Sequence, residues 1–155
     1  MPVWDTGDHW ERVMRRTLAL AFAVAASTAS ASDAITYDFD GEFDDAIFAV
    51  ESAIVGKGLV IDYVSHVGDM LNRTGADVGS DKMLFDNAQI FVFCSAVVSR
   101  EVMEADLENI VHCPYGIYVA ESGGTVTIGH RDYPEGPMDK VETLLEEIVA
   151  EARGE

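Results

Sequence analysis

The stretch Ala88-Gln-Ile-Phe-Val-Phe-Cys94 is apolar at nearly every position, and it constrains the fold more than any other feature of the chain. A strand with one face in water alternates apolar and polar residues, whereas an unbroken run of this length suits a central strand covered on both faces. The chain must therefore build a sheet around it.

The flanking segments supply that sheet and its cover. Ile35-Thr-Tyr-Asp-Phe39 alternates at period two, and Phe43, Ile47, Val50 and Ile54 then fall on one face of a helix stopped by Lys57-Gly58. Residues 59–67 read as a β-branched strand, 68–74 as a short helix and 75–82 as a glycine- and aspartate-rich loop. Beyond the apolar run, Ser99 offers an N-cap for a helix carrying Val102, Met103 and Leu107. Residues 115–120 and 125–129 form a hairpin through Ser122-Gly123-Gly124. Pro134 and Pro137 precede a C-terminal helix, residues 137–152, with Met138, Val141, Leu144, Leu145, Ile148 and Val149 as its apolar stripe. The order β-α-β-α-β-α-β-β-α predicts an α+β domain: one mixed or antiparallel sheet of about five strands with helices packed on it.

A different logic governs the N-terminus. Met14-Arg15-Arg16, the apolar run Leu18–Ala26 and Ala29-Ser30-Ala31 have the order of a secretory signal peptide, residues 14–31, with cleavage after Ala31. Residues 1–13 carry Asp5, Asp8 and Glu11, the wrong sign for an n-region, and read as an upstream segment wrongly assigned to the protein. Trp10-Glu11 must be encoded by a purine-rich GGGA, as a ribosome-binding site before the Met14 codon would be. The expected location is the bacterial periplasm or the exterior, with residues 32–155 as a single mature domain. Arg12, Arg15 and Arg16 balance the three upstream acids, so the mature domain keeps the whole net charge of −18. Such a field repels nucleic acid and anionic membrane surfaces, and no second apolar run has the length of a membrane span.

Two constellations carry chemistry. Cys94 ends the third strand and Cys113 precedes the fourth; if those strands are antiparallel neighbours, the two Cα atoms come within the roughly 4.4–6.8 Å that a disulfide requires. Three readings of the pair stand: a disulfide, metal or haem ligation by one or both thiols, or two merely buried thiols. The second constellation is His66-Val-Gly-Asp-Met70, which puts an imidazole and a thioether on one helical face. With Cys94 and Met103 these make a soft donor set suited to Cu(I) or to haem iron. His112 adjoins Cys113 but points away from it on a strand, and His130-Arg131-Asp132 reads as a solvated strand end. No hydrolase elbow, phosphate-binding glycine loop, His-Glu-x-x-His or Cys-x-x-Cys occurs, so no catalytic residue is assigned.

From Phe43 to Pro134 the sequence resembles the family of domains of unknown function numbered 302. The features that carry the resemblance are the opening helix Phe43–Ile54 with its Gly-Lys-Gly-Leu ending, the apolar third strand, Met103-Glu-Ala-Asp106, and Tyr115-Gly-Ile-Tyr-Val-Ala-Glu121 leading into a hairpin. The resemblance implies a small α+β fold that associates as a homodimer and carries no established activity. Phe93-Cys-Ser-Ala96 and Cys113-Pro114-Tyr115 mark an exported, two-cysteine subgroup. The expected function is a non-enzymatic exported domain that binds haem or Cu(I) through His66, Met70, Cys94 and Met103. A disulfide-stabilised module binding a protein or small molecule without metal is the alternative, and a thiol redox protein the third.

Overall fold

The computed structural model describes residues 34–155; the upstream segment, the signal peptide and the cleavage site after Ala31 lie outside the described residues. Period-two alternation becomes β1 (Ala34–Phe39), and the helical face of Phe43, Val50 and Ile54 becomes α1 (Phe43–Gly56). Asp44 and Asp45 in its first turn complement the helix dipole, and Gly58 just past its end takes φ of +75°, a conformation that glycine adopts without strain. There follow β2 (Val60–Ser65), α2 (Val67–Thr74), β3 (Asn87–Cys94), α3 (Ala96–Ala105), β4 (Tyr115–Ser122), β5 (Thr125–Arg131) and α4 (Asp139–Ala152).

The strands form one five-stranded sheet in the order β1-β5-β4-β3-β2, antiparallel at every pairing. The fold is therefore α+β, and the sheet is antiparallel rather than mixed. Gly123 and Gly124 at φ of +60° and +79° close the β4–β5 hairpin, where both central residues need positive φ. α1 and α4 pack side by side on one face of the sheet. Phe91, Phe93, Ile117 and Ile128 from the strands meet Val50, Ile54, Leu145 and Ile148 from these helices, all essentially inaccessible. Burying each such side chain stabilises the fold by roughly 1.5–3 kcal/mol before chain entropy is set against it.

Three expectations need correction. The apolar run of β3 is not covered on both faces: Phe91 and Phe93 are buried beneath the helices, whereas Ile90 and Val92 on the opposite face stay half-exposed. Only Ala88 is buried on that side, under α2, where a Cβ on Gly68 would lie 2.5 Å from the Ala88 backbone nitrogen. The N-cap of α3 is Ser95 and not Ser99, because Ser95 holds extended backbone angles and its Oγ accepts from the Val98 N–H at 3.3 Å. Finally, the helix carrying Val102 and Met103 ends at Ala105 and does not include Leu107, which opens the stretch leading to β4. That stretch forms a 3₁₀ turn (Leu107–His112) capped by Asp106, whose carboxylate accepts from the Glu108 N–H at 2.9 Å.

Candidate functional site

The register of β3 on β4 builds the first half of the site. Phe93 lies opposite Tyr115, so Cys94, one residue beyond the pair, and Cys113, two residues before it, meet at the same end of the sheet. Their sulfurs are 2.7 Å apart, and the Cys113–Pro114 peptide that leads into β4 is cis. Ser99, one turn into α3, places its Oγ 4.0 Å from the Cys113 sulfur and 3.0 Å from the Tyr115 hydroxyl. Burial, reinforced by the hydrogen bond to Cys113 and by the negative charge of Asp62, pushes the Cys94 thiol up to about 12. Tyr133 stands edge-on to Tyr115 at 6.3 Å and to His112 at 5.8 Å, and burial raises its phenol to about 12 against the opposing pull of Arg131.

The second half is the face of the sheet that α1 and α4 leave open. Side chains directly opposite on antiparallel strands share a face, so Tyr63, Ile90, Val92, Gly116 and Tyr118 line up on it. Together with Val111, Pro114 and Cys113 they wall a groove of about 510 Å³, with Ser65, His130 and Arg131 among its polar members. A second concavity of about 470 Å³, lined by Val67, Phe85, Ala88, Ala120 and Thr127, shares Ile90 and Tyr118 with the first. The phenol end of Tyr118 occupies the space that a side chain on Gly129 would take, and its hydroxyl hydrogen-bonds to Thr36. A bulge at Asp62 shifts the β2 register between Ile61 and Tyr63 and turns the Tyr63 ring onto the open face, where it is 64 % exposed.

The soft donor set expected from the sequence does not assemble. Val60 pairs with Cys94 and Ser65 with Ile90, so His66 sits at the far end of β2, roughly 15–20 Å from Cys94 along the strand direction. Met70 is on exposed α2, beside Thr74, and Met103 packs against the helix-side core from α3. What the structure does bring together is Cys94 and Cys113. Among the described residues no group of three or more His, Cys, Asp and Glu side chains is placed to hold a metal ion.

His130 also differs from expectation. It is 1 % exposed on the helix side of β5, opposite Ile117 and Ile35; Nδ1–H donates to the Arg131 carbonyl at 2.7 Å, and Nε2 is buried without a partner. Only Arg131 and Asp132 form the solvated strand end. Sequence reasoning places Ser99 only as a helix cap and gives Tyr63, Tyr118 and Tyr133 no part in the site, because their roles depend on register and cross-strand pairing. The alternation of Gly116, Tyr118 and Ala120 against Ile117 and Val119 was the one local sign of a second, less apolar face.

A five-stranded antiparallel sheet with two long helices on one face, a short helix at one end of the other and a cysteine pair beside a groove defines a small α+β domain. The family model described as "Domain of unknown function DUF302" matches residues 35–154, and the chain belongs to that family. Among solved structures it is similar to the uncharacterised conserved DUF302 protein from Bacillus stearothermophilus, at 21 % identity and a TM-score of 0.55, covering 80 % of this chain and 92 % of that one. Curated proteins give no match. No helix among the described residues is long and apolar enough to cross a membrane.

Proposed function

We propose that this is an exported binding module, stapled by a Cys94–Cys113 disulfide, that takes a small apolar or aromatic molecule on its open sheet face without a metal. The observation that carries the reading is the groove itself. Its volume falls in the range of small-molecule sites, and its walls are aliphatic and aromatic with few polar groups, as such sites are. The staple draws its support from the 2.7 Å sulfur separation, which asks for side-chain adjustment but no movement of the strands. The signal-peptide pattern supports an oxidising compartment, where such a bridge persists.

Ligand preference follows from charge. With a net charge of −18, the protein disfavours anionic ligands except beside Arg131, so neutral aromatic compounds suit the groove best. Titration with the neutral fluorophore N-phenyl-1-naphthylamine tests this. Saturable binding near one equivalent is expected, weakened at least tenfold in Val92→Glu, which sets a carboxylate in the groove wall. No binding, or equal binding by a folded Val92→Glu variant, overturns the reading.

A further inference from the structure

The two cysteines differ in what they face. Cys113 lines the groove together with Pro114 and Val111, whereas Cys94 is absent from its wall and sits at the β3 end that pairs with Val60 of β2. A bridge with a purely structural role needs no access to a ligand-sized cavity. Here one cysteine belongs to that cavity's wall, and the sulfur of the other, which does not line it, lies 2.7 Å from its own.

We propose that the Cys94–Cys113 pair is a thiol–disulfide exchange site, with Cys113 the sulfur that bonds to a sulfur-bearing ligand held in the groove and Cys94 the sulfur that resolves it. The inference rests on the groove reading above and adds the class of ligand, a thiol or disulfide flanked by apolar or aromatic atoms.

The exchange balances as follows. The Cys113 thiolate attacks one sulfur of a disulfide R–S–S–R′, forming Cys113–S–S–R and releasing R′S⁻. Cys94 then gives up its proton to solvent and attacks the Cys113 sulfur, which closes the Cys94–Cys113 bond and releases RS⁻. The ligand disulfide gains two electrons and becomes two thiols, while the protein's two thiols lose two electrons and two protons. In an oxidising compartment the same steps run in reverse, a ligand dithiol or pair of thiols reducing the bridge.

Three features of the site fit these roles. Ser99 Oγ, 4.0 Å from the Cys113 sulfur, is placed to donate to a thiolate there. Cys94, 2.7 Å away, holds its proton more tightly than an ordinary thiol and can donate its S–H to the same thiolate. The ring of Tyr63 and the aliphatic Ile90 and Val92 supply the apolar flank for the ligand's remainder.

The test uses the mature protein and two disulfide probes, the aromatic 4,4′-dithiodipyridine and the anionic tripeptide disulfide oxidised glutathione. Reduced wild type should release two equivalents of thiopyridone per protein and retain no adduct. Cys94→Ser should keep a mixed disulfide on Cys113, forming at least tenfold faster than the adduct on Cys94 in Cys113→Ser, and faster with the aromatic probe than with glutathione. Limiting iodoacetamide on reduced wild type, read by peptide mapping, should label Cys113 first and keeps the assignment testable if either variant fails to fold. Preferential labelling of Cys94, equal rates in the two variants, or a wild type inert to both probes overturns the proposal. The naphthylamine titration stands apart from these readouts, so an inert cysteine pair beside a working groove is distinguished from failure of the groove itself.

Discussion

Tyr133 shows what burial does to a single polar side chain. Its ring is 7 % exposed and packs edge-on against Tyr115 and His112, and the missing solvation raises its phenol to about 12. In the unfolded chain the phenol ionises near pH 10. Below that pH both states keep the proton and the contribution to stability is fully present; between pH 10 and 12 the unfolded state alone loses it, and stability falls as pH rises. The two-unit difference corresponds to about 2–3 kcal/mol. Denaturant unfolding from pH 9 to 12 should therefore show a decline that is smaller by roughly that amount in Tyr133→Phe, both proteins being held in the same redox state. An equal decline in the two would mean that the phenol is solvated. None of this was legible locally: Tyr133 stands between Asp132 and Pro134, where a sequence reads as loop. His130 is misread for the same reason, because its neighbours Arg131 and Asp132 are exposed while its own side chain points into the core opposite Ile117.

Among the described residues α2 is the only helix on the open face, and its position depends on one glycine. Replacing a helical glycine by alanine ordinarily stabilises by about 1 kcal/mol through helix propensity. At Gly68 the added Cβ would come within 2.5 Å of the Ala88 backbone nitrogen, and a strand backbone cannot give way as the end of a flexible side chain can. Overpacking of this kind costs about 1–3 kcal/mol and outweighs the propensity gain. Gly68→Ala should lower stability by about 1–2 kcal/mol and raise hydrogen exchange in α2 while leaving α1 and α4 protected; a stabilised variant would show that α2 is not seated on β3.

Long elements with a single buried face are the ones the sequence displays best. α1 and α4 follow from their apolar stripes, and the hairpin from Gly123-Gly124. Residues near α3 are harder to read, since Ser95 and Ser99 are both competent caps and only the extended backbone at Ser95 decides between them. The soft donor set failed at this scale as well. Met70 lies in a short helix that His66 only precedes as its N-cap, and the antiparallel pairing of β2 with β3 carries that helix to the opposite end of the sheet from Cys94.

For the whole molecule, the open sheet face and the cysteine pair are one feature seen from two sides. The sheet buries its strongly apolar face under α1 and α4, and among the described residues no second helical layer covers the other face, where only the short α2 packs. The resulting groove ends at Cys113 and Pro114. A bridge from Cys94 to Cys113 would close the loop that contains α3 and the 3₁₀ turn, and would stabilise the fold by about 3 kcal/mol in the chain-entropy account. That turn leaves Leu107, Ile110 and Val111 exposed, so little apolar burial holds it and the covalent tie matters most there. The proximity of the cysteines was legible in the sequence as a consequence of strand order, whereas the groove was not, since it needs the register of four strands at once. The most direct measurement is peptide mapping of the protein expressed from its own leader in a bacterial host, alkylated under denaturing conditions before any reduction. The account predicts an N-terminus at Ser32 and a single peptide pair joined through Cys94 and Cys113. Two freely alkylated cysteines on a chain that still begins at Met1 or Met14 would contradict it.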